Sequence, residues 1–272
     1  MSYASIIVAL DPGEYASSRV GLAALLAHRL NARLIGVAAW APDYPRGIGE
    51  TSIPVGYGIE EMRQATLKEL REAETVFRLA AQPVDRVEWR SDIKGSVAFL
   101  EEHSRAADLV VIGRKGEDDS CPPIAAVSPG DALMALGRPV LVVPPGTDRL
   151  SASRVVVAWK NTLQSRRAIS DAMPLLKLAD QVQVIQVTDT ANRAELDDVV
   201  AHLALHDVNA TGIQRAADRA GTAAAIMEVA KEAGADLIVS GAFGYSRLRE
   251  WFFGGVTRNL LEHAKVCCLM SH

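Results

Sequence analysis

The residues of this chain whose types and spacing could do chemistry lie late, between Asp236 and Leu260. Leu237-Ile238-Val239 has the composition of a strand buried on both faces. Gly241 and Gly244 break that run. After a basic and aromatic insert, Gly254-Gly255-Val256-Thr257 opens a helix that continues through Leu260 and Leu261. Strand, glycine turn and glycine-led helix start make a place for phosphate. Glycine lets the backbone come close to a ligand, and the free N–H groups of a helix start carry partial positive charge. The pattern is neither G-x-x-x-x-G-K-[ST], since no Lys-Ser/Thr follows, nor G-x-G-x-x-G.

Such a turn needs a sheet to hold it, and the chain supplies one twice. Strand-like runs at Ile6–Leu10, Leu34–Ala39, Val84–Trp89, Asp108–Ile112 and Pro139–Val143 alternate with helical patterns at Ser17–Leu30, Ile59–Ala81 and Ser96–Ala106. Ala41–Gly58, rich in Pro and Gly, reads as a long loop. After Pro144-Pro145-Gly146 the pattern restarts. Arg154–Trp159 echoes the first strand and Ser165–Leu178 the first helix. Val182–Val187, Ala194–Leu205, Gly212–Arg215 and Thr222–Lys231 follow in the same order. AADLVVIGRKG at 106–116 aligns with GADLIVSGAFG at 234–244, and Lys265–Met270 stands where Arg138–Val143 stood. Two β-α-β-α-β-α-β-α-β copies, 1–147 and 153–272, account for nearly the whole sequence. This alternation implies parallel sheets with right-handed crossovers and helices on both faces.

On these residues the chain resembles a tandem universal stress protein. The second copy resembles the nucleotide-binding branch, whose motif is G-x2-G-x9-G-(S/T). Gly241, Gly244 and Gly254 keep its spacing, Gly255 replaces the Ser/Thr, and Thr257 matches a hydroxyl residue two positions later. The resemblance implies two Rossmann-like domains, each an open five-stranded parallel sheet of order 3-2-1-4-5. Fifth strands would pair across a pseudo-two-fold axis within the chain, and higher oligomers are compatible with this. It implies an adenine nucleotide of the ATP or AMP type, with or without Mg²⁺, at the carboxyl ends of strands 1 and 4. In the second copy the residues implied are Ala158, Lys160, Val187, Gly241, Gly244, Gly254, Gly255, Val256 and Thr257. In the first copy a weaker site of Asp11, Gly113 and Gly116 is implied. The next glycine there, Gly130, comes after thirteen residues and is followed by Asp131, which caps a helix but repels phosphate. The copies depart from the family pattern at opposite ends, because Lys160 stands where the first copy has Asp11. Lys donates three hydrogen bonds and accepts none.

The expected role is a stress-response module that binds an adenine nucleotide and answers to an unidentified protein partner. The alternatives are a slow ATP hydrolase in the second copy and a scaffold whose degenerate sites hold no nucleotide. No nucleophile elbow and no Ser or Cys beside a His base is evident. His202 and His206, four apart with Asp198 on one helix face, read as a solvated face rather than a metal site, opposite Leu196, Val199, Val200 and Leu203. Glu117, Asp118 and Asp119 read as solvated loop. Arg247, Arg249 and Arg258 could add charge for a polyphosphate, and Trp251, Phe252 and Phe253 read as packing residues.

Composition sets the outer limits. With 272 residues, 49% hydrophobic and 23% charged, the chain is globular in character. A net charge of -4 argues against nucleic-acid and anionic-membrane partners. No apolar run approaches a membrane span of roughly 18 residues. Cys121, Cys267 and Cys268 form no disulfide framework, and the adjacent pair is expected to face opposite sides of a strand. A reducing, cytoplasmic location is the expectation.

Overall fold

A computed structural model describes residues 2–42, 55–114, 116, 121, 125–190, 192–216, 221–243 and 255–272. The apolar runs become ten strands of a single sheet. The first five are β1 (Ser5–Leu10), β2 (Arg33–Ala39), β3 (Val87–Asp92), β4 (Leu109–Gly113) and β5 (Val140–Val143). The second five are β6 (Arg154–Trp159), β7 (Gln181–Val187), β8 (Ala210–Arg215), β9 (Leu237–Gly241) and β10 (Cys267–Ser271). Between them run α1 (Ala16–Leu30), α2 (Val55–Ala80), α3 (Ser96–Ser104), α4 (Pro129–Ala135), α5 (Leu163–Leu176), α6 (Ala194–Ala204), α7 (Thr222–Glu232) and α8 (Val256–His263).

Sheet order is β3-β2-β1-β4-β5-β10-β9-β6-β7-β8. Within each half every pairing is parallel and the order is 3-2-1-4-5, the two halves being mirrored about the centre. The join is antiparallel: β5 meets β10 with Cys268 opposite Val142, Leu269 opposite Leu141 and Met270 opposite Val140. A chain related to itself by a two-fold axis must pair like strands antiparallel. This join also covers one free edge of each half, leaving β3 and β8 at the ends.

Central strands are largely apolar because both faces are covered. One face carries α1, α2, α5 and α6, packed on Ile6, Val8, Leu34, Leu109, Val155 and Val182. The other carries α3, α4, α7 and α8, packed on Ile7, Ile35, Val110, Val156 and Ile238. Both layers cross the join, where Leu141 and Leu269 are fully buried on the first face and Val142 and Met270 lie on the second. Cys267 and Cys268 are buried on opposite faces, as alternation along a strand requires.

Two elements depart from the sequence expectation. Helix α2 starts at Val55, inside the segment read as loop, and runs for 26 residues. Its two early glycines each cost a helix only about 1 kcal/mol, which a long amphipathic helix packed through Leu70, Ala73 and Phe77 outweighs. Strand β3 begins three residues later than its apolar pattern suggests. Val84 is taken by the turn that closes α2, its N–H donating to Ala81 O, and pairing with β2 starts at Val87 opposite Leu34.

Candidate functional site

Each half has one place where neighbouring crossovers leave to opposite faces of the sheet. In the first half it lies beyond the carboxyl ends of β1 and β4, and in the second beyond β6 and β9. Open α/β sheets bind ligands at such switch points. Several of the residues expected for a site lie there. Ala158 pairs with Ser240, Gly241 ends β9, Lys160 follows β6, and Val187 ends the adjacent β7. Asp11 and Gly113 hold the corresponding ends of β1 and β4.

In the second half, α8 opens on Gly255, a backbone N-cap with no side chain to satisfy the first N–H groups and no acidic residue in the first turn. The start is tied to the sheet through Thr257, whose buried Oγ1 accepts from Phe243 N–H at 3.2 Å. Phe243 itself lies in the left-handed region, φ 52°, a conformation that costs a non-glycine residue of order 1 kcal/mol. It is also gripped by an edge-on contact with the His272 ring, whose Nδ1 bonds Ala242 O. Arg258, in the first turn of α8, pairs with Glu262 at 2.7 Å on the exposed face. Lys160 is exposed at the end of β6, and its carbonyl accepts from Thr162 N–H, where Thr162 caps α5. Gly241 has a structural duty of its own. A Cβ there would lie 2.6 Å from Ser165 N and 2.7 Å from Gln164 C, so α5 begins against the end of β9 only because that residue is glycine.

The first half is built differently at the same place. Helix α4 begins at Ser128, whose hydroxyl accepts from Asp131 N–H at 3.4 Å, and Asp131 adds negative charge to the first turn. Asp11 is engaged from within: Oδ2 accepts from Arg19 Nη2 at 2.7 Å and Oδ1 from Gly13 N–H at 3.1 Å. Arg19 is buried, and its Nε donates to Ala9 O at 3.0 Å. Sequence reasoning missed Arg19. The available signal was a lone Arg among Val20, Leu22 and Ala23 on an otherwise apolar helix face.

The remaining candidates separate cleanly. Gly244, Gly254, Arg247, Arg249, Trp251, Phe252, Phe253 and the Glu117–Asp119 cluster lie outside the described residues. His202 and His206 meet edge to face with ring centres 4.8 Å apart, and no group of three metal-ligating side chains occurs among the described residues. Burial pushes the Cys267 and Cys268 thiols up to about 12, which keeps them protonated and unreactive near neutrality. No helix among the described residues is long and apolar enough to cross a membrane.

A second pair of residues was present in the aligned strings without being recognised. Asp108 Oδ2 accepts from Ala4 N–H and Ser5 N–H, at 2.8 and 3.1 Å. Asp236 Oδ2 accepts from Ser151 and Ala152 N–H groups, at 3.0 and 2.8 Å. Each Asp thus clips the entry of its half's first strand to the start of its fourth. That common duty explains why Ala-Asp-Leu recurs in the two copies.

Similarity to known proteins agrees with this architecture. A universal stress protein from Archaeoglobus fulgidus DSM 4304 superposes with a TM-score of 0.71 at 14% identity, covering 98% of this chain and 95% of its own. A protein described as a universal stress protein from Pseudomonas aeruginosa UCBPP-PA14 gives 0.59 at 17% identity, covering 99% and 93%. At these identities the likeness speaks for the fold. No curated protein matches the chain by sequence. The family model for the universal stress protein family matches residues 2–120 and again 152–272. This chain belongs to the universal stress protein family, as a member with two copies of the family domain.

Proposed function

We propose that the protein is a cytoplasmic stress-response module that binds an adenine nucleotide in its second half and passes the occupied state to a protein partner. One observation carries the reading. The start of α8 beside the β6–β9 switch point is uncapped by any N-cap side chain and free of acidic residues in its first turn, whereas its counterpart α4 is capped by Ser128 and made negative by Asp131. A helix start of the first kind suits phosphate, and the second kind opposes it. Lys160 at the end of β6 would then face the ribose or phosphates, as a donor in place of the acceptor found in the first half.

A scaffold without nucleotide is favoured by one fact: Gly241 is required by the packing of α5 whether or not a ligand comes. Moving the first half's capping into the second separates the two readings. Titration of the full chain with radiolabelled ATP should show saturable binding. The double variant Gly255→Ser/Arg258→Asp should weaken it by about tenfold or more. Absence of saturable binding, or equal binding by the two proteins, contradicts the proposal.

A further inference from the structure

The crevice of the first half is filled by the protein itself. Arg19 is the fourth residue of α1, and its side chain turns back over the ends of β1 and β4 while remaining 5% exposed. A guanidinium moved out of water requires partners for its charge and its donors. Here Nη2 has the Asp11 carboxylate at 2.7 Å and Nε the Ala9 carbonyl at 3.0 Å. The third nitrogen lies over Gly113: a Cβ on that glycine would be 2.1 Å from Nη1 and 2.9 Å from Cζ. Gly113 is therefore glycine to admit Arg19. Asp11, with its other oxygen on Gly13 N–H, has its charge and both oxygens engaged from within its own half.

The second half shows that this is not a requirement of the fold. Arg166 occupies the fourth position of α5, and it points outward to Asn161 Oδ1 at 3.1 Å. The space over Gly241 is closed by Gln164 and Ser165 at the start of α5.

We propose that Arg19 is the permanent occupant of the first half's ligand crevice, so that this half takes no nucleotide and is held in one state whatever the second half does. The inference stands apart from nucleotide binding by the second half. Two measurements on the full chain test it. In urea denaturation, Gly113→Ala alone should lower the midpoint, because its methyl displaces the guanidinium. In an Arg19→Ala background the same change should have no further effect. A harmless Gly113→Ala, or one that keeps its full effect without Arg19, overturns the assignment. Equilibrium dialysis against labelled ATP needs no first-half variant and covers the case in which Arg19→Ala does not fold. Zero equivalents, or one that is lost in Gly255→Ser/Arg258→Asp, agrees with a closed first half. Two equivalents, or one that survives that double change, overturns it. Zero equivalents would at the same time remove the nucleotide reading of the second half, so the two claims fail separately.

Discussion

The two halves share a strand order, a pair of packing layers and an aspartate clip, yet their crevices hold opposite things. In the first, a buried arginine and a carboxylate neutralise each other, and the helix start α4 is capped and acidic. In the second, an exposed lysine follows β6, and the helix start tied to the end of β9 has glycine as its N-cap and carries an arginine in its first turn. On the proposed reading, duplication lets one copy keep a ligand-facing surface while the other becomes fixed structure. The family fold tolerates both outcomes because the crevice lies beyond the strand ends, outside the two hydrophobic layers that hold the sheet together.

Breaking the comparison should have its largest effect at Arg19. Arg19→Ala leaves the Asp11 carboxylate, 15% exposed, without its partner and should destabilise the protein by about 3–5 kcal/mol. The matching change Arg166→Ala, at an exposed residue, should fall within about 0.5 kcal/mol of wild type in the same urea titration. Equal losses would mean that the halves are not asymmetric at this position.

At the join, where the halves meet, symmetry should return. Leu141→Ala and Leu269→Ala each empty a fully buried site on one face of the sheet and should each cost about 2–5 kcal/mol. Because the two residues face each other across the pairing, the double variant should cost less than the sum of the singles. The aspartate clips should also behave alike. Asp108→Ala and Asp236→Ala each leave backbone N–H groups without their acceptor, for a loss of about 1–3 kcal/mol that thermal denaturation would register in both.

Alkaline stability should distinguish the halves again. Burial raises the Cys267 and Cys268 thiols from about 9 to about 12. The register of β5 on β4 and of β10 on β9 makes Pro139 and Val140 their first-half counterparts, neither of which titrates. A thiol that resists ionisation in the folded state contributes stability below the unfolded value and loses it as pH rises towards the folded one. Between pH 9 and 12 the unfolding free energy should therefore fall by up to ~1.4 kcal/mol per pH unit for each thiol. Cys268→Val should flatten that slope; an unchanged slope would place the titrating groups elsewhere. The smallest effect belongs to Gly255→Ser/Arg258→Asp, where a better cap offsets the lost Arg258–Glu262 pair. Its stability should remain within about 1 kcal/mol of wild type, so any loss of ATP binding can be assigned to the site.

Much of this architecture was legible in the residues. Runs such as Arg154–Trp159, buried from Val155 onward, declare strands covered on both faces, and the recurrence of the Ala-Asp-Leu strings declares the duplication. The edge strand β3 was misplaced because a half-buried edge has a weak apolar pattern and Val84 belongs to the preceding turn. The start of α2 was missed because glycine content marks loops only where packing does not outweigh it. At the site, sequence spacing located the glycines but not their neighbours. Gly113 and Gly241 occupy equivalent positions, yet one faces a guanidinium and the other a helix backbone. That difference arises from where α1 and α5 begin: α1 starts five residues after Asp11, and α5 three after Lys160. A short motif cannot encode such a distance to another element.

The central claim is that the halves differ in whether their crevice is open to a nucleotide. Photolabelling of the intact protein with 8-azido-ATP, followed by peptide mapping, tests it most directly. The account predicts label confined to second-half peptides around Ala158–Lys160 and Val187, suppressed by excess ATP. Label on first-half peptides around Ala9–Gly13 that excess ATP suppresses equally would contradict it.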